Sequence, residues 1–223
     1  MTPRHHLDEA TLLSLSAASL PTALAVVAST HLSCCELCRE RLLQIDRIGG
    51  VLLEQQQAEA PDPAARAAML ARLDEEPAPR ASPAPAAFRE DDEHHDPNRL
   101  PEPLHAWFGP SKRALRWRWV APGLHRIRAL GVAGGELMLL RVAPGSRLPL
   151  HSHQGNELTV ILEGAYDDVL GHFGPGDAAD LDEDTLHQPV TSPEVACICV
   201  AATDAPLRFP GWFARILQPL FGF

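Results

Sequence analysis

No apolar run in this 223-residue chain approaches the roughly 20 residues that a bilayer-spanning helix requires, so no membrane segment is expected. The opening residues, Met1 to Glu9, lack a basic stretch followed by an apolar core, which argues against a secretory signal peptide. Cysteine is sparse. There are five, an odd number, and three of them crowd into residues 34–38, which excludes the disulfide framework of a small secreted domain. A reducing, cytoplasmic setting is the expectation. Clustered Lys and Arg are also missing. The net charge is −10, divided as −2 over residues 1–54, −6 over 55–104 and −2 over 105–223. A nucleic-acid binder gains its affinity from concentrated positive charge, so direct binding to DNA or RNA is not expected. Such a surface suits a partner protein that is itself basic.

What the chain does have is a pair of metal-type motifs. Gly145, five residues, His151-Ser-His153, three residues, Glu157, six residues and Gly164 fit the first cupin motif without a gap, and Pro175-Gly176-Asp177 and His187 supply a second half. Residues two apart on a strand face the same side, so His151 and His153 can both enter a barrel while Glu157 returns from the adjoining turn or strand. Three imidazoles and a carboxylate suit one divalent transition metal, and the donor types alone admit Zn, Mn, Fe, Ni or Cu.

The second motif lies near the start. His31, three residues, Cys35, two residues and Cys38 offer one imidazole and two thiolates, with His5 or His6 upstream as a fourth donor. A compact nitrogen and sulfur set of this kind closes a tetrahedral Zn2+ site, and closed sites are structural. Leu24, Val27 and Ala28 share a helical face with His31, so the metal would pin helical segments together. Cys34, beside the motif, is the rival thiolate, but the spacing favours Cys35.

Between and after these motifs the pattern changes. Leu7–Leu20, Thr22–Leu32 and Cys35 to about Glu54 read as helices, too few and too short to bury much surface unaided, so zinc is expected to supply the missing stability. A fourth helix, Pro63–Leu73, opens with Asp62 as N-cap and carries an apolar face of Ala65, Ala68, Met69 and Leu73. That face either docks on its own domain or serves a partner. Residues 61–110 hold ten of the 21 prolines, with the acidic stretch Glu90 to Glu93, and read as a stiff, solvated linker between independently moving domains. His94 and His95 within it are read as solvated. From Trp117 onward short strands dominate: Trp117–Trp119, His125–Arg128, Glu136–Val142, Leu158–Leu162 and Val195–Ala202. Cys197 and Cys199 share one strand face, a spacing open to redox chemistry if exposed and otherwise that of small buried hydrophobes. The apolar tail, residues 210–223, either caps the barrel or serves a partner, and capping is the expectation. The fold class expected is therefore α+β in two domains: a zinc-stabilised helical bundle over 1–76, a Pro/Ala/acidic linker over 77–110 and an all-β cupin barrel over 111–223.

Taken together, Arg4-His5-His6 with His31 to Cys38 resembles the zinc-binding anti-sigma domain, and the C-terminal half resembles the cupin domain of ChrR-type anti-sigma factors of bacteria. The resemblance covers nearly the whole chain, including Cys197 to Phe209, and is thinnest in the middle. It implies zinc ligands at His6, His31, Cys35 and Cys38 and cupin ligands at His151, His153, Glu157 and His187. It implies no enzyme activity. The implied role is 1:1 sequestration of an extracytoplasmic-function sigma factor by the N-terminal module, with release on an oxidative signal such as singlet oxygen or organic peroxide. A metal-dependent cupin enzyme, of dioxygenase or isomerase type, is the competing class. It leaves the N-terminal helices without a use.

Overall fold

A computed structural model describes residues 2–60, 62–73, 96 and 98–208. His94, His95 and the apolar tail lie outside the described residues. The chain divides into two compact units, one formed by residues 1–47 together with 98 onward, the other by residues 48–97.

The first unit begins with α1 (Glu9–Ser16) and α2 (Thr22–Leu32). Pro21 starts α2, where its missing N–H costs nothing. Along α2 the buried residues are Ala23, Leu24, Val27, Ala28, Thr30 and His31, a wide stripe at helical spacing. Its last carbonyls are met from outside the helix: Ser33 Oγ donates to Thr30 O at 2.7 Å and Arg39 donates to Leu32 O at 2.7 Å. The chain then turns at Cys34 and Cys35, both of whose N–H groups donate to His31 O, and enters α3 (Glu36–Glu54).

The strands follow: β1 (Arg118–Ala121), β2 (Leu124–Arg128), β3 (Glu136–Val142), β4 (Ser152–His153), β5 (Glu157–Glu163), β6 (Tyr166–Asp168), β7 (Gly171–Phe173), β8 (Ala178–Leu181), β9 (Val190–Thr191), β10 (Cys197–Thr203) and β11 (Leu207–Arg208). Six form an antiparallel sheet in the order β1-β2-β3-β10-β5-β8, with a three-stranded sheet β7-β6-β9 and the pair β11-β4 completing the barrel. In the large sheet Leu139 pairs with Val200 and Val200 with Val160, so these three share one face; Cys199 pairs with Leu140 and Ile161 on the other.

Those two faces have different neighbours. Leu137, Leu139, Leu158, Val160, Val200 and Ala202 form one core with Leu24, Val27 and Ala28 of α2. Ile161, Tyr166, Phe173, Ala179, Leu181, Cys197 and Cys199 form the second, inside the barrel. The expectation of two independently moving domains is therefore not what the first unit displays: α2 lies directly against the outer face of the barrel sheet. A helix buried on so broad a stripe needs more apolar cover than two short helical neighbours provide, and the sheet supplies it. Residues 98–110, expected in the linker, also belong here. They form a 3-10 turn (Glu102–Leu104) and α5 (His105–Phe108), and bury Leu100 and Leu104 in the α2 core.

The second unit holds the end of α3 and α4 (Pro63–Leu73). Within α3 the one buried residue is Cys38, while Ile48, Val51, Leu52 and Leu53 are exposed, Leu53 to 74%. α4 buries none of its residues; Met69, Leu70 and Leu73 are all exposed. Both helices carry apolar side chains without cover among the described residues.

Candidate metal centres

His6, His31, Cys35 and Cys38 come together, each offering one ligand atom within 4.8 Å of the other three. Four separate pieces of backbone deliver them. His6 comes from the N-terminal segment, His31 from the last turn of α2, Cys35 from the turn and Cys38 from the first turn of α3. His6 Nδ1 lies 3.3 Å from Cys35 Sγ, and His31 Nε2 lies 3.3 Å from Cys38 Sγ. The Cys38 N–H donates to Cys35 Sγ at 3.4 Å. His31 Nδ1–H donates to Gly176 O at 2.8 Å, which leaves the Nε2 lone pair facing the thiols.

The donor chemistry fits a divalent cation. Burial pushes the Cys38 thiol up to about 11 and lowers both His6 and His31, so these three groups as they stand are driven toward neutrality. A cation reverses that balance by stabilising thiolates against neutral imidazoles. His5 is not part of the cluster. Its ring stacks on Phe173 at 4.0 Å and donates to His172 O at 3.0 Å. Cys34 is exposed, and its Sγ donates weakly to His31 O at 3.2 Å, pointing away from the set.

In the barrel, His151, His153 and His187 converge, all buried. An isolated antiparallel bridge sets the first and last in register: His151 N–H donates to His187 O at 3.1 Å, and His187 N–H to His151 O at 3.0 Å. Their Nε2 atoms lie 3.1 Å apart, and His153 Nε2 is 3.3 Å from that of His187. Two of the rings have their protons fixed on the opposite nitrogen. His151 Nδ1–H donates to Pro149 O at 2.8 Å, and His187 Nδ1–H to Asp168 Oδ2 at 3.2 Å. Bare Nε2 lone pairs therefore face each other across 3.1 Å, an arrangement that repels unless a cation sits among them. Burial lowers both His151 and His153, keeping them neutral and able to ligate.

Glu157, expected as the fourth donor, is not brought into this group. Its Oε2 lies 3.3 Å from His153 Nδ1, on the far side of that ring, at an angle that leaves the buried nitrogen without a hydrogen bond. Its Oε1 accepts from Thr159 Oγ1 at 3.1 Å. As first residue of β5 it faces the interior, but beside His153 and not in front of it. Cys197 and Cys199 are both buried, and the Cys199 thiol is raised by its hydrogen bond to Cys197 and by burial, the setting of small core residues.

Residue spacing did not point to Asp168. Its side chain is fully buried against His187, and Tyr166-Asp167-Asp168 carries no motif of its own. Gly176 and Asp177 were visible as a turn motif but not as neighbours of His31.

Residues 111–206 match the profile of the ChrR cupin-like domain. Over 223 residues, 99% of each chain, the sequence is 38% identical to the anti-sigma-E factor ChrR of Cereibacter sphaeroides. The chain belongs to the ChrR family of anti-sigma factors. A crystal structure of Rhodobacter sphaeroides SigE in complex with the anti-sigma ChrR matches with a TM-score of 0.72 at 31% identity, covering 92% of this chain and all of that one. Helices at the N-terminus and a cupin-like sheet region after them are thus the family's arrangement. No described helix is long and apolar enough to cross a membrane.

Proposed function

We propose that this chain is a cytoplasmic anti-sigma factor that sequesters an extracytoplasmic-function sigma factor in a 1:1 complex. The observation that carries the reading is the full-length match to a ChrR whose solved relative is held in complex with SigE. Two features of the molecule support it. The exposed Ile48, Val51, Leu52 and Leu53 of α3, and Met69, Leu70 and Leu73 of α4, are the kind of uncovered apolar side chains that a partner protein buries. The net charge of −10 suits a basic partner.

In this reading residues 1–76 bind the sigma factor and residues 111–223 form the sensory barrel. His6, His31, Cys35 and Cys38 hold Zn2+, which fixes the N-terminal segment, α2 and the start of α3 to one another. His151, His153 and His187 would hold a divalent transition metal in the barrel, with Glu157, beside His153, as the expected fourth ligand. An oxidant of the singlet-oxygen or organic-peroxide type, acting on the barrel, weakens the hold on the sigma factor. The chain's own contribution is to keep His151 and His153 neutral and all three imidazoles oriented; a bound metal would supply the Lewis acidity or redox response on which such a signal acts.

Co-expression with an extracytoplasmic-function sigma factor from the same cell is the test. A 1:1 complex should elute from size exclusion, and sigma-dependent transcription should fall in its presence. Separate elution of the two proteins at micromolar concentration would remove the proposal.

A further inference from the structure

The turn between β7 and β8, residues 174–177, belongs to the barrel, yet two of its acceptors, Asp177 Oδ1 and Gly176 O, serve the N-terminal residues. Asp177 is only 4% exposed. Its Oδ1 accepts from the backbone N–H of Arg4 at 2.5 Å and of His5 at 3.0 Å, and its Oδ2 accepts from Gly174 N–H at 2.8 Å. One residue further along the N-terminal segment is His6. Ala178 N–H returns a bond to His5 O at 3.2 Å, and Asp8 N–H donates to Asp180 Oδ2 on β8 at 3.0 Å. The segment is thus tied to the barrel on both sides of His6. On the second ligand, Gly176 O takes the Nδ1 proton of His31.

Gly176 could not easily be another residue. Its φ is +89°, and an added Cβ would lie 3.3 Å from Cys34 Sγ and 3.3 Å from Pro3 Cγ. The close approach brings its carbonyl within reach of the α2 terminus. The 3.0 Å bonds that Cys34 and Cys35 make to His31 O orient that turn's backbone, but no helix residue supplies the acceptor for the His31 ring.

We propose that the residue 174–177 turn of the barrel is a structural support of the N-terminal metal site, with Asp177 and Gly176 as positioning residues for His6 and His31. The proposal rests on the reading that the His and Cys cluster binds a metal. Asp177 fixes the path of the chain so that His6 arrives at the cluster without first being ordered by the metal. Gly176 O selects the His31 tautomer whose Nε2 is bare. Partners of this kind, one bond removed from the metal, typically set affinity by about 10- to 100-fold. The metal site of the helices is then an instrument of the barrel. Any change that moves this turn loosens two of four ligands, and by reciprocity metal loss loosens the turn.

The experiment uses the full chain and Co2+ as probe, because sulfur-to-cobalt charge-transfer absorption arises where thiolates ligate and is silent at an all-imidazole site. Asp177→Asn and Gly176→Ala are titrated beside the unmutated chain, with Glu183→Gln, an exposed barrel acid, as control. Each of the two variants should weaken Co2+ binding at the thiolate site by about 10-fold or more, while the control and the barrel's metal content stay unchanged. Binding within twofold of the unmutated chain in both variants overturns the proposal. So does weakening matched by equal loss of the barrel metal, since that marks general unfolding and not support of one site. Absence of a thiolate band in the unmutated chain is a different result, which removes the metal reading on which the proposal stands.

Discussion

The two clusters of this chain differ in what they are built on. His151, His153 and His187 hang from paired strands whose backbone bonds would exist without any metal. His6, His31, Cys35 and Cys38 sit on an N-terminal segment, two helix ends and a turn. The strand site is a frame that stands without an ion; the helical site is a junction that an ion would close. Loss of metal should therefore alter function in the first case and architecture in the second.

The largest expected effect breaks the junction. Cys38→Ser should remove one metal equivalent per chain and abolish inhibition of sigma-dependent transcription, while the barrel retains its own metal. Metal analysis and a transcription assay on one preparation decide it. Retention of two metals and full inhibition would show the assignment of that site to be wrong. Because α2 is buried against the sheet, far-ultraviolet circular dichroism should record only partial helix loss.

His187→Ala sharpens the other half. The barrel metal should be lost entirely, with inhibition unchanged and the response to oxidant gone. A variant that still releases its partner on oxidation would make that metal incidental and move attention to Cys197 and Cys199. Asp168→Asn is a finer probe of the same frame. With the acceptor of His187 Nδ1–H weakened, barrel metal affinity should fall by about 10- to 100-fold, read by chelator competition, with the thiolate site unaffected. The smallest effect on either metal site is expected from Leu139→Ala, which should cost about 2–5 kcal/mol of stability on thermal melting by opening a cavity under α2 without changing either metal count. Destabilisation confined to the helices, with an unshifted barrel melt, would contradict the shared core.

The clusters themselves were legible in the residues because metal chemistry constrains spacing: His31, Cys35 and Cys38 sit on consecutive turns, and His151 and His153 obey the strand period of two. Helix limits were legible for the same local reason, with Pro21 and Pro63 marking starts. What escaped was partnership. The stripe Leu24, Val27 and Ala28 looks identical whether it faces another helix or a sheet, so the docking of α2 could not be read from it. Leu100 and Leu104 are lost among the prolines of residues 61–110 until α2 gives them a surface. Asp168 escaped because a lone acid has no pattern, and Glu157 because spacing fixes its strand position but not which side of the His153 ring its carboxylate takes.

Strand β10 also restricts how this chain can change by insertion and deletion. Its alternate residues answer to different clients: Val200 and Ala202 to α2, Cys197 and Cys199 to the barrel interior. Adding or deleting one residue near its start would exchange the two sets, presenting thiols to the helix and valine to the cavity. A change in length is better borne by segments such as residues 55–60, where α3 has ended and no pleat is counted.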